Sequence, residues 1–226
     1  MIKVKRMIIG PIETNVYVIS NTDTKEAILV DPALNGDRIY DYFEEEGLKC
    51  VAVFITHGHF DHVSGLDEFN EKAHASVYAC EKEKYLLSDA QLNGSADSFG
   101  VGEGPVFVHP DRYLRDGETF ELLDRTWQCI WTPGHTQGSC CFYLAEEKML
   151  FSGDTLFEGS VGRTDLATGS MTELLNSINL KLKPLPDDVD VFPGHGGFTT
   201  IGDERSYNMY FNWSGVQLPP DDVDTV

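Results

Sequence analysis

Val51–Ile55 is a run of apolar, largely β-branched residues with no polar face. A strand of that kind is covered on both sides, so the chain must build a sheet with material packed against each face. Thr56 follows, and then His57, Gly58, His59, Phe60, Asp61 and His62, which gather three histidines and an aspartate in six residues. The cluster stands where the chain leaves the sheet, on a turn held by a rigid element. Imidazoles and a carboxylate converging there suit borderline metal ions.

Three more strand-like runs end the same way. Trp127–Trp131 leads into Thr132-Pro133-Gly134-His135, Met149–Phe151 into Ser152-Gly153-Asp154, and Val189–Phe192 into Pro193-Gly194-His195. Loops at strand ends are where sites are built on a rigid scaffold. Together the four turns offer five histidines and two aspartates, enough for two ions. Two-metal sites hold their ions roughly 3.5–4 Å apart and need a bridge between them. His57, His59 and His135 would serve one ion, and Asp61, His62 and His195 the other. Asp154 would bridge, leaving an open position at each ion for water and substrate.

The remaining elements fit a fold built twice. Residues 2–9 read as a first strand, and Val16–Ile19 and Ala27–Val30 as a hairpin pair. Asp37–Glu46 is helical, with Gly47 as its stop, and Asp61 to Phe69 opens another helix. Ser76–Ala79 is a strand and Glu81–Leu87 a short helix. Residues 88–118 read as a long loop or insertion, able to line a pocket. Thr119–Leu123, Thr126–Trp131, Ser139–Leu144 and Met149–Phe151 are strands, Met171–Leu182 is helical, and Val189–Phe192 is a last strand. Strands followed by helices, twice, imply an α/β chain with two packed sheets and helices outside. No biased linker divides it, so one domain over 1–226 is expected, with 219–226 a flexible tail.

Composition excludes several classes of function. The net charge is −20 and the 17 Lys and Arg are scattered, which opposes a nucleic-acid partner. No run approaches the length of a membrane span, and the basic start is not followed by an apolar segment, so a cytoplasmic protein is expected. Five cysteines with no CxxC spacing read as free thiols. Cys140 and Cys141 should face opposite sides of a strand and pack as small hydrophobes. His74 and His109 lie outside any motif. Arg163 and Asp165 are expected to form an ion pair shaping their loop, and Tyr207, Tyr210 and Phe211 a packed aromatic face.

Thr56–His62 resembles the T-H-x-H-x-D-H pattern of the metallo-β-lactamase superfamily, and the later candidates match in order and rough spacing. Thr132–Ser139, Gly162-Arg163-Thr164-Asp165 and Pro193-Gly194-His195-Gly196 are similar to the glyoxalase II branch, and the likeness runs from Thr14-Asn15-Val16-Tyr17 to Arg205. The resemblance implies a four-layer αββα sandwich and two divalent metal ions, zinc or else iron or manganese. It also implies hydrolysis of a thioester such as a hydroxyacylglutathione by a metal-activated hydroxide, with Asp61 both ligating and orienting the nucleophile. Glyoxalase II enzymes grip glutathione with a basic C-terminal segment, whereas the stretch after His195 offers Arg205 alone. Two other activities of the same fold fit the residues. One is a persulfide dioxygenase with one iron on His57, His135 and Asp154, and the other is a lactonase.

Overall fold

The apolar runs assemble into two six-stranded sheets. The computed structural model describes residues 1–96 and 104–212. The first sheet contains β1 (Ile2–Ile9), β2 (Thr14–Asn21), β3 (Glu26–Val30), β4 (Lys49–Ile55), β5 (Ser76–Cys80) and β6 (Arg112–Leu114), in that order across the sheet. β1 to β3 are antiparallel, with Tyr17 opposite Val30 and Ile19 opposite Ile28, and β4 to β6 continue parallel to β3.

The second sheet contains β7 (Thr119–Leu122), β8 (Arg125–Trp131), β9 (Cys140–Leu144) and β10 (Met149–Gly153). A hairpin of β11 (Leu156–Phe157) and β12 (Ser160–Val161) stands apart, and β13 (Asp190–Pro193) and β14 (Thr199–Thr200) complete the sheet in the order β14-β13-β10-β9-β8-β7. Parallel neighbours need crossovers. These are supplied by α1 (Gly36–Glu46) between β3 and β4, α2 (Phe60–Val63) and α3 (Leu66–Ala73) between β4 and β5, and α5 (Met171–Ser177) between β10 and β13. Short helices α4 (Lys84–Leu87) and α6 (Ile201–Tyr207) follow β5 and β14.

Side-chain alternation along the strands explains the layering. All eight residues of β2 are buried. Val16 and Val18 join Ile39, Phe43, Leu66 and Phe69 under α1 and α3. Tyr17 and Ile19 point the other way, into the space between the sheets with Phe54, Trp127, Phe142 and Phe151. Phe54 and Phe142 stack across that space with ring centroids 4.3 Å apart. Each large apolar side chain fully removed from water contributes about 1.5–3 kcal/mol, so this layer binds the sheets together. On the far side of the second sheet, Cys141, Leu150 and Val191 meet Leu174, Ile178 and Leu182. The result is the helix–sheet–sheet–helix sandwich. Cys140 falls between the sheets and Cys141 beneath α5, as the period of two requires. No helix among the described residues is long and apolar enough to cross a membrane.

Three segments differ from the pattern-based reading. Residues 88–118 are not all loop, because Arg112–Leu114 pairs with β5 as the sheet's edge. A three-residue strand is too short to show alternation. The stretch from Asp61 to Phe69 is two helices, since the Gly65 amide turns to the Pro32 carbonyl at 3.0 Å and leaves the helical ladder. Met171–Leu182 begins as α5 but widens over Ile178–Leu182 into a π-turn, closed by Lys183 N–H to Ile178 O at 2.8 Å. That wider turn leaves Ile178 and Leu182 both fully buried. The expected tail at 219–226 lies outside the described residues.

Candidate metal centre

Every element that carries a candidate ligand ends at the same edge of the sandwich. β4 delivers His57, His59, Asp61 and His62, β8 delivers His135, β10 delivers Asp154 and β13 delivers His195. Two backbone bonds cross from sheet to sheet at this edge, Cys140 N–H to Thr56 O at 2.9 Å and Asn15 N–H to Gly194 O at 2.7 Å.

The seven side chains converge in two overlapping groups. His59 Nδ1 and His135 Nε2 lie 2.8 Å apart, and potential ligand atoms of His57, His59 and His135 all fall within 4.8 Å of one another. Asp61, His62 and His195 form the second group within the same limit. There His62 Nε2 and His195 Nε2 are 3.3 Å apart, with Asp61 Oδ2 at 3.5 and 3.3 Å from them. Asp154 reaches both groups, with Oδ1 at 3.4 Å from His62 Nε2 and Oδ2 at 3.5 Å from His135 Nε2 and 3.6 Å from His195 Nε2. Donor atoms bound at ~2.0–2.1 Å around a tetrahedral cation stand about 3.4 Å apart, close to the 3.3–3.6 Å separations among Asp61, His62, His195 and Asp154. Gly194 belongs to this packing, since a Cβ there would lie 2.2 Å from Asp154 Oδ1 and 2.7 Å from His62 Cε1.

Hydrogen bonds behind the rings decide which nitrogen faces inward. Asp31 accepts from the Thr56 amide at 2.8 Å and the Thr56 hydroxyl at 2.6 Å. Having given its proton to Asp31, the Thr56 oxygen can only accept from His57 Nδ1, 3.1 Å away. His62 Nδ1 donates to Asp31 at 3.0 Å, and His135 Nδ1 donates to the Arg163 carbonyl at 2.7 Å. In all three rings Nε2 is left as a bare lone pair pointing into the cluster. His57 Nε2 and Asp154 Oδ1 are buried there without a hydrogen-bond partner among the described residues. Groups of that kind are costly unless a cation meets them. The donors therefore fit two divalent ions.

The electrostatics agree. Burial opposes charge on His62, but Asp61, Asp154 and Asp31 outweigh it and hold the ring's pKa up to about 10, so the carboxylates demand positive charge at this spot. Burial drives His57 well below its ordinary value, and burial with His135 lowers His59 to about 3, which favours neutral rings with free lone pairs. Burial would raise Asp61, yet His62, His195 and the Thr14 hydroxyl hold it below the usual carboxylate range.

A family profile described as the metallo-beta-lactamase superfamily matches residues 9–195. The chain belongs to the metallo-beta-lactamase superfamily. It is 38% identical over 211 residues to the probable metallo-hydrolase YqgX of Bacillus subtilis (strain 168), covering 93% of this chain and 98% of that protein. Identity is 36% over 192 residues to the hydroxyacylglutathione hydrolase GloC of Haemophilus influenzae, covering 84% and 89%. The crystal structure of the BLEG-1 B3 metallo-beta-lactamase superposes with a TM-score of 0.86 at 39% identity, over 93% of this chain and 100% of that one. Membership makes the protein a metal-dependent hydrolase, and it agrees with the observed αββα sandwich.

Beside the superfamily centre lies a cavity of ≈ 720 Å³, into which His59, Asp61, His135, Asp154 and His195 open. Its walls are mainly apolar, with Ile12, Phe60, Leu92, Phe157 and Leu166 among them. Leu92 and its neighbours come from the 88–118 segment, so part of that stretch lines the pocket as expected. Arg163 also borders the cavity, and its guanidinium grips Asp165 through two bonds of 2.7 Å, the ion pair anticipated for this loop. Phe211 is fully buried and Tyr210 packs beside it, whereas Tyr207 is exposed and outside the aromatic face.

Sequence patterns missed two buried acids. Asp31 follows β3 at a positive φ of 52°, where Asp and Asn are the side chains most readily tolerated. The only signal was an acid directly after an apolar strand, which also describes an ordinary turn before Pro32. Glu83 accepts from Gly58 N at 2.8 Å, Thr136 Oγ1 at 2.9 Å and Gly138 N at 2.9 Å, tying the His57–His59 turn to the His135 turn. In the sequence it stands in Glu81-Lys82-Glu83-Lys84, which reads as a solvated charged helix.

Proposed function

We propose that the protein hydrolyses thioesters, such as a hydroxyacylglutathione, with two divalent metal ions held by His57, His59 and His135 and by Asp61, His62 and His195, Asp154 lying between them. The observation that carries this reading is Asp154, whose carboxylate stands at ligand spacing from both groups of donors, 3.5 Å from His135 on one side and 3.4 and 3.6 Å from His62 and His195 on the other. Zinc is the metal we assign, and the same His and Asp donors suit iron or manganese. Bound divalent ions lower the pKa of water towards about 7 and polarise a carbonyl.

The protein's own groups supply the rest. Asp61 Oδ2, steadied by the Thr14 hydroxyl at 2.9 Å, is placed to orient the proton of the attacking water. His195 stands 3.3 Å from the same oxygen and keeps it ionised. The apolar walls receive the acyl group and keep bulk water from the reacting carbon. A thiolate leaves readily because it is weakly basic, so a thioester makes little demand on a separate acid. Similarity to a hydroxyacylglutathione hydrolase supports the thioester class, and the cavity suits a small molecule.

The test compares lactoylglutathione with simple acyl thioesters on purified protein of measured metal content. Thioester turnover that follows the loading of two ions supports the proposal. Absence of thioester hydrolysis at full loading refutes it, and oxygen uptake on glutathione persulfide with one iron per chain would replace it with the dioxygenase reading.

A further inference from the structure

The motif Thr14-Asn15-Val16-Tyr17 lies at the start of β2, in the opposite sheet from His195, and has no place in the ligand set. Its side chains nevertheless close on one half of the centre. Thr14 is buried and donates its hydroxyl proton to Asp61 Oδ2 at 2.9 Å. Asn15 donates its side-chain amide to the Pro193 carbonyl at 2.9 Å and the Gly196 carbonyl at 3.1 Å, while its backbone N–H holds Gly194 O at 2.7 Å. The Tyr17 hydroxyl donates to Pro193 O at 2.6 Å, and Arg6 from β1 reaches Gly196 O at 3.0 Å. The carbonyls on either side of His195 are thus gripped by the first sheet, and Asp61 is fixed from the same strand.

The other half is held by different groups. His57 is set by Thr56, His135 by the Arg163 carbonyl, and their turns by Glu83. None of the hydrogen bonds made by Thr14, Asn15 or Tyr17 goes to His57, His59 or His135. Asp31 serves both sites, holding His62 directly and His57 through Thr56, but the supports from β2 and from Glu83 are separate.

We infer that Thr14, Asn15 and Tyr17 are positioning residues for the Asp61–His62–His195 ion alone, so that weakening them yields a protein with one ion in place of two. The inference rests on the two-ion reading above. Partners that orient ligands from behind govern metal affinity by about 10–100-fold, and Thr14→Val removes one such partner with little change of shape.

The experiment measures zinc per chain by elemental analysis after dialysis against buffered zinc, with the same titration followed by calorimetry. Wild type should hold two ions. Thr14→Val should keep one at wild-type affinity and bind the other ~10–100-fold more weakly, and Thr14→Ser should restore both. Asn15→Ala should behave as Thr14→Val does. Glu83→Gln, which disturbs the other support, should weaken the ion that Thr14→Val retains. Two ions of unchanged affinity in Thr14→Val and Asn15→Ala would overturn the inference. Equal loss of both ions, with folding intact by circular dichroism, would overturn it as well. Wild type that never exceeds one ion would instead refute the two-ion reading itself.

Discussion

Asp31→Asn changes the atoms of one buried side chain hardly at all, yet it should weaken both ion sites. The carboxylate accepts three protons and donates none: Thr56 N–H on Oδ1, and the Thr56 hydroxyl and His62 Nδ1–H on Oδ2. An asparagine must keep its oxygen towards the backbone N–H, which can only donate. Its NH₂ then faces Thr56 Oγ1 and His62 Nδ1 and donates to both. His62 is driven to carry its proton on Nε2. The Thr56 oxygen, now accepting from the introduced amide, turns its own proton to His57 Nδ1. The inward lone pairs of His57 and His62 both become N–H groups. Returning either ring to its ligating form leaves donor against donor, a cost of about 1–3 kcal/mol for a buried unmade bond. Each ion should lose affinity by roughly 10–100-fold. Zinc titration calorimetry with elemental analysis reads the effect, and circular dichroism checks the fold. Thr14→Val is expected to release one ion, so loss of both distinguishes the relay from a local defect. An Asp31→Asn protein holding two ions at wild-type affinity would refute the tautomer argument.

Other outcomes follow from the same contacts. Gly138→Ala would bring a Cβ to 2.2 Å from Glu83 N and 2.4 Å from Glu83 Cα, atoms that cannot swing aside; overpacking costs about 1–3 kcal/mol, and differential scanning should show a Tm lower by roughly 2–12 °C. Burial pushes Glu83 from 4.5 up to about 7. A folded pKa above the unfolded one means that its contribution is fully present below about pH 4.5 and lost as pH rises through about 7. The Tm advantage of wild type over Glu83→Gln should shrink from pH 5 to pH 8, and an advantage that grows would contradict the burial argument. Cys50, Cys80, Cys129, Cys140 and Cys141 are all free and buried, and burial raises Cys50 to about 12 and Cys141 to about 11. A thiol reagent at pH 8 should find no fast-reacting group in the native protein and five after denaturation.

The candidate ligands were legible because each sits at the break between an apolar strand and a glycine-bearing turn, where a histidine has no packing role. The sandwich was legible for a related reason, since Val51–Ile55 needed cover on both faces. Asp31 and Glu83 escaped because their meaning lies in partners more than twenty residues away in sequence, Thr56 and Gly58 included. An acid in a charged run looks the same whether water or three buried donors meet it. Arg112–Leu114 escaped because pairing with β5, not alternation within three residues, makes it a strand. The split after Val63 depends on the Pro32 carbonyl, again a tertiary partner.

Among the described residues, the two backbone bonds that cross between sheets, from Cys140 to Thr56 and from Asn15 to Gly194, both lie at the edge that carries the candidate ligands. They make that edge the spine of a book whose pages are the sheets. Near the opposite edge, the Asn21 side chain meets the Leu123 carbonyl at 3.3 Å. Breathing of the layers should open the far edge first and leave the spine shut. The amide protons of Asn15 and Cys140 should therefore be among the last to exchange with solvent, and damage to the far edge should loosen the fold before it disturbs the spacing of the seven candidate ligands.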